Sequence, residues 1–359
     1  MKPATSAREV LLVGSVGLKD NEEVFRAVGP LLGARMRRVP DGETGLRTSW
    51  VARLRFALEN NPAFEDDPRE VAAGGRITHP TEGERTWKGS AIVPRGAPPP
   101  PRMRLRAGVN PRDIRIGGLG YPEAAVRLLP RAPPPAREGV VPKDLRFQVA
   151  LPTTAAFLNA HVVYEHHEIV EPVYRARLFA EVDEILAAIP HGDLALQWDV
   201  STEMGQWEGV RHAHFPDVKA GVIERLALHC ARVPRGVELG VHLCYGSYGG
   251  RHWKEPDSTA NMVEVHNRLK GGSRVRSTTC TCRCPSAAAT TPTSRRSPGS
   301  ISTRARGSSS AWCTIRTASR GREGASPPRR NMPGISASPP NAVSGGGRRR
   351  RFPSCCAFT

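Results

Sequence analysis

The last quarter of this chain lacks most of what a folded domain is built from. Residues 271 to 359 contain no Leu, Tyr, His, Gln, Lys or Asp, and a single Glu, although leucine is among the commonest residues of globular domains. Ordinary disordered segments are poor in aliphatics but rich in Glu and Lys, so disorder by itself does not explain the gap. Nowhere do about 18 apolar residues run together as a membrane span requires. Met1 to Val10 carry no apolar core flanked by a cleavage site, so a cytoplasmic protein without membrane partners is expected. Six of the eight cysteines (Cys280, Cys282, Cys284, Cys313, Cys355 and Cys356) also lie in the tail. Only Cys230 and Cys244 remain in the body, which excludes a disulfide framework there. A Gly-rich dinucleotide fingerprint is missing too, so no nucleotide cofactor is expected.

What the chain does have is unevenly placed. The formal net charge is +18, and the sixteen arginines of residues 271 to 359 supply nearly all of it, leaving about +3 on the rest. A basic total usually points to nucleic acid. Here it implies at most non-specific contact through Arg348-Arg349-Arg350-Arg351, because the tail has few aromatics to stack bases.

The tail's composition makes sense in a neighbouring reading frame. When each codon is built from the third base of one residue's codon and the first two of the next, Ser, Cys and Trp become aliphatic codons. Val275 to Pro285 then reads GPVDYLHMPVP, Ala288 to Thr314 admits GDDAYFAPLAGLDLDPGTRLVLGLVH, Gly334 to Gly347 admits GDFGISTECGFGRR, and Arg351 to Thr359 reads VPELLRIH. The Trp312-Cys313 junction allows only GTG, a valine. The frame is expected to slip near Lys270 to Arg274, and the tail as written is expected to be disordered. Leu128 to Arg137 admits a helix-like SYRALRRLRE in the same manner, against an equally plain reading as a proline-rich loop.

Residues 1 to 270 alternate apolar strand and amphipathic helix. Strands are predicted at Val10 to Ser15, Arg35 to Val39, Leu145 to Leu151, Leu194 to Trp198 and Val237 to Leu243. Helices are predicted over Asn21 to Leu32, closed by Gly33, and over Thr48 to Leu58, Val173 to Ile189 and Asp217 to Ala231. About Asn60 to Val140 reads as long loops. This order indicates a parallel α/β fold. About five strands here and three in the shifted frame (VDYLHM, TRLVLGLVH, DFGIST) make the eight of a (β/α)8 TIM-type barrel, incomplete as written, with a doubly wound sheet as the alternative.

Polar residues gather where the strands end: Ser15, Asp41 to Gly45, Pro152-Thr153-Thr154, Gln197-Trp198-Asp199 and His242-Leu243-Cys244. In a barrel they would meet at one mouth. His242 and Cys244, two apart on a strand, share a face and are soft metal ligands. Four further histidines, His166, His167, His212 and His214, have polar neighbours and read as solvated surface.

The order of these motifs resembles the C-terminal catalytic barrel of cobalamin-independent methionine synthase and its relatives in the uroporphyrinogen decarboxylase-like superfamily. The resemblance spans about residues 8 to 270, and the shifted-frame ECGFGRR is similar to the family's last motif. It implies that His242 and Cys244 are ligands of a catalytic Zn²⁺, that Gly14, Ser15, Gly42 and Glu43 hold an amino-acid substrate, and that Asp199 binds its amino group. The implied reaction is methyl transfer from a donor to a small homocysteine-like thiol. Val200 stands where the family usually carries Glu, which is compatible with another thiol substrate. The alternatives are a non-functional frameshifted fragment of such an enzyme and a basic nucleic-acid-binding protein acting through the Arg-rich tail.

Overall fold

The computed structural model describes residues 10–44, 50–73, 100–128, 145–246, 252–272, 277–283 and 312–318. All of these except Ala318 belong to one compact unit. The centre is a parallel sheet of four strands: β1 (Arg38–Pro40), β4 (Arg146–Pro152), β5 (Leu194–Val200) and β6 (Glu238–Leu243), hydrogen-bonded in the order β1-β4-β5-β6. Between β1 and β4 lies a small antiparallel pair, β2 (Phe64–Asp66) with β3 (Met103–Leu105). Two strands inside the segment expected to be disordered, β7 (Ser277–Arg283) and β8 (Trp312–Ala318), pair with each other. Both are rich in Thr, Cys and other residues that suit a pleated ladder. The rest of the tail, and the predicted helix-like frame after Leu128, lie outside the described residues.

Ten helices surround the strands: α1 (Asn21–Leu32), α2 (Trp50–Arg53), α3 (Phe56–Glu59), α4 (Pro68–Ala72), α5 (Tyr121–Leu128), α6 (Thr154–His161), α7 (His167–Ala188), α8 (Thr202–Trp207), α9 (Val218–Ala231) and α10 (Ala260–Gly272), counted among the described residues. Their starts follow local chemistry. Asp20, Thr153 and Asp217 each accept a backbone N–H of the first turn of α1, α6 and α9. None of the described helices is long and apolar enough to cross a membrane.

The sheet has two unlike faces. Phe147, Val149, Leu151, Leu194, Leu196, Trp198, Val200, Val241 and Leu243 are buried in the apolar core with Val170, Tyr174, Leu178, Val182, Ile185, Val222 and Leu226 of α7 and α9. Alternation puts Arg38, Arg146, Gln148, Gln197, Asp199, Glu238 and His242 on the other face. Arg38, 3% exposed, is held there by Glu238 at 3.1 Å.

Several sequence expectations need correction. The apolar run Val10 to Ser15 forms no ladder strand. It lies beside β1 and runs the same way, tied by Val10 N–H to the Arg35 carbonyl (2.9 Å) and Val16 N–H to the Gly42 carbonyl (2.8 Å). Between those ties its carbonyls go elsewhere: Gln148 Nε2 donates to Leu12 (3.2 Å) and Val13 (2.7 Å), and Gln197 Nε2 donates to Val13 (2.8 Å). In a flat sheet this segment would lie about 14 Å from β5, beyond a glutamine's reach. The edge therefore bends over the polar face.

Gly33 is right-handed (φ −52°) and leads into a single 3-10 turn, so it is no left-handed cap of α1. Leu31, expected on the buried side of that helix, is 78% exposed. The helix predicted from Val173 starts at His167, with Pro172 inside it. Its first turn looks polar in sequence, but Glu171 is compensated by Arg175, Arg225 and His214 and is buried. The stretch read as long loops contains β2, β3, α4 and α5 among its described residues. A closed eight-stranded barrel is not seen among the described residues. What stands is a mixed α/β fold around a four-stranded parallel sheet.

Candidate functional site

Parallel strands point their C-terminal ends one way, and the predicted site residues sit at those ends. Register pairs Pro152 with Asp199 and Asp199 with His242, so the carboxyl and the imidazole are neighbours on the polar face. Cys244 follows two residues on, anchored by its N–H to the Val200 carbonyl (3.3 Å). His242 and Cys244 are 7% and 9% exposed.

From the other side of the mouth, Ser15 Oγ donates to Glu43 Oε2. Glu43 is the one described non-glycine residue with a left-handed backbone (φ 49°), and its N–H is fixed by Asp41 Oδ1 at 2.9 Å. Gly42 precedes it at φ 81°, where a Cβ would meet Val24 Cγ2 at 2.6 Å. At Gly14 a Cβ would lie 2.7 Å from Glu43 Oε1. Gly42 is thus required by the turn that presents Glu43, and Gly14 leaves room for the Glu43 carboxyl in its present position.

The electrostatics are those of a group of acids withdrawn from water. Withdrawal from water, reinforced by the Glu43 charge and opposed by the Gln197 amide, pushes Asp199 up to about 8. Burial pushes Glu203 up to about 7 against a hydrogen bond from Thr153. Burial takes Cys244 up to about 12, with a backbone hydrogen bond from Gly246 working against it and the charges of Asp199 and Glu203 adding to it. His242 is lowered to about 4 by burial. At neutral pH the imidazole is therefore uncharged and the thiol protonated unless a cation enters.

The residues fit a zinc ion in kind, since imidazole and thiol are both soft donors. They fall short in number: among the described residues no three His, Cys, Asp or Glu side chains are grouped so as to hold a metal ion. The shifted-frame cysteine of the tail lies outside the described residues.

Sequence reasoning missed Glu203, at the start of α8 and 2% exposed. Its signal was a carboxylate in the first turn after a strand that already ended in Asp199, but it sits past the strand and so escaped a search confined to strand ends. The reading of four histidines as solvated surface is also corrected. His167 is fully buried with Nε2 on the Val162 carbonyl (3.0 Å), His214 Nε2 meets Glu171 at 2.7 Å, and His166 Nδ1 accepts the Leu105 N–H at 2.9 Å. His212 stacks on Tyr164 with ring centroids 4.3 Å apart. These histidines brace α7 and lie outside the strand-end site.

Comparison of the chain with known protein families, curated proteins and solved structures finds no match.

Proposed function

We propose that the strand-end mouth is the thiol-handling site of a zinc-dependent methyltransferase built on a β/α barrel. The observation that carries this reading is the convergence of the Ser15–Glu43 pair, Asp199, His242 and Cys244, drawn from four separate stretches of chain, on one end of one sheet. Strand order supports the barrel. The segment Val10–Val16, β1, β4, β5 and β6 follow one another without the reversal of a doubly wound sheet. The bent edge also suits a barrel wall, whose strands tilt and curl.

In this reading Glu43, steadied by Ser15, and Asp199 orient the amino group of an amino-acid thiol, while His242 and Cys244 offer the metal ligands. A bound zinc ion would supply a positive charge that lets a thiol ionise at neutral pH. Buried Arg38, Gln148 and Gln197 on the same face limit the water beside such a site. Calorimetry of the zinc-supplied chain with homocysteine tests this. Binding is expected, with loss in Cys244→Ser and about tenfold weakening in Glu43→Gln. Absence of thiol binding would overturn it.

A second reading concerns the tail. We infer from its missing residue types that residues after about Lys270 are out of frame, which leaves the barrel short of strands and ligands. Direct sequencing of the encoding DNA from about codon 265, with the intact mass of the natural product, decides it. A single inserted or deleted base restoring the aliphatic frame is expected. Confirmation of the frame as written would make the Arg-rich tail a real segment, to be tested by salt-dependent RNA retention.

A further inference from the structure

Among the described residues, Glu171 and Glu181 are buried carboxylates with several partners, whereas Glu203 is buried with an unpartnered oxygen. Glu171 takes Arg175, Arg225 and His214. Glu181 takes the N–H groups of Leu119 and Tyr121 together with Arg177. Glu208, half-buried, likewise takes Tyr245 (2.9 Å), Lys254 (2.7 Å) and Asn261 (2.6 Å). Glu203, 2% exposed, has the Thr153 hydroxyl on one side, while its Oε2 has no hydrogen-bond partner among the described residues. A carboxyl withdrawn from water with an unsatisfied oxygen is costly.

Its position says what is missing. Thr153 caps α6 at the end of β4, Glu203 opens α8 after β5, and its charge bears on Cys244 at the end of β6. Glu203 therefore lies over the C-terminal end of β5, within the mouth that holds Asp199. No ion pair to Glu203 or Asp199 is seen among the described residues. A cation entering here would favour the ionised carboxyls and give Glu203 Oε2 its missing partner.

We propose that Glu203 receives a positively charged group of the ligand, and that this contact selects which ligand the mouth accepts. The proposal rests on the thiol reading of the mouth. The positively charged group is the ammonium of an amino-acid thiol.

The test uses the full chain and its Glu203→Gln variant, with three probes: Zn²⁺ alone by chelator competition, and homocysteine and 4-mercaptobutyrate by calorimetry. If the ammonium is received, the variant binds homocysteine about tenfold more weakly and 4-mercaptobutyrate, which lacks the amino group, about as well as the parent. If instead Zn²⁺ alone binds about tenfold more weakly and the two thiols lose affinity alike, the carboxyl serves a metal and the proposal is overturned. Unchanged binding of all three probes, with an unfolding midpoint at or above the parent's, would overturn the proposal and leave Glu203 a tolerated buried acid. Should Glu203→Gln fail to fold, Glu203→Asp, which keeps the charge but withdraws it by one methylene, is expected to weaken the same probe. A parent chain that binds neither thiol nor zinc removes the thiol reading and this role together. A parent that binds with an indifferent variant refutes Glu203 alone.

Discussion

The two faces of one sheet divide the work of this molecule. On the helix side, β4, β5 and β6 carry only apolar side chains, packed with almost no exposure, and α7 and α9 close over them. On the other side the same strands carry Arg, Gln, Asp, Glu and His, held in place by hydrogen bonds and ion pairs. The contrast teaches that a period of two lets adjacent residues of a strand serve opposite ends. Trp198 anchors the core, and its neighbour Asp199 faces the mouth.

The largest effect should come from the apolar face. Trp198 is 1% exposed, packs edge-on to His229 and donates Nε1 to the His229 carbonyl at 3.1 Å. Trp198→Ala is expected to cost about 3–5 kcal/mol of stability in urea titrations. A loss below about 1 kcal/mol would mean that this face is not the core.

Acid should act next. Burial holds His161, His167 and His229 neutral, each lowered to about 4. A histidine whose folded pKa is depressed adds stability that is present above its ordinary value near 6.5 and is lost as pH falls through about 4. Melting temperature is therefore expected to drop steeply across that window, and replacing His229 with Gln should flatten the drop.

The polar face should respond more gently. Gln148→Leu removes two bonds to the bent edge, at Leu12 and Val13, and is expected to cost about 1–2 kcal/mol. Increased proteolysis within Val10–Val16 would show that the edge has let go.

Asp199 offers a signed comparison. Its raised pKa makes the native chain bind more protons than the unfolded one between about pH 4 and pH 8. Its contribution is thus full below the ordinary carboxyl value and is lost as pH rises through about 8. Asp199→Asn should melt closest to the parent near pH 4 and increasingly above it toward pH 9. The reverse order would place Asp199 in a stabilising ion pair.

At the small end, Arg26→Ala breaks an exposed pair with Glu22 (2.9 Å) and should cost no more than about 0.5 kcal/mol.

Much of the helix side was legible in the sequence, because period and capping are local. Leu145 to Leu151, Leu194 to Trp198 and Val237 to Leu243 each match β4, β5 and β6 to within two residues at either end. That Asp199 and His242 are neighbours was legible through their places at strand ends, as their register shows. What stayed hidden depends on distant partners. Val10 to Ser15 reads as a strand, but two glutamines more than a hundred residues away take its carbonyls. The polar first turn of α7 hides a buried Glu171 whose compensation comes from Arg225. Glu203 matters only because Thr153 and Cys244 come together around it, which no local pattern records.

A cobalt titration of the full chain, followed by visible and near-ultraviolet absorption, bears most directly on the strand-end mouth. A thiolate-to-cobalt band that disappears in Cys244→Ser and weakens in His242→Ala is expected. No such band in the parent chain, or an equal one in both variants, would contradict the assignment of His242 and Cys244 as a ligand pair.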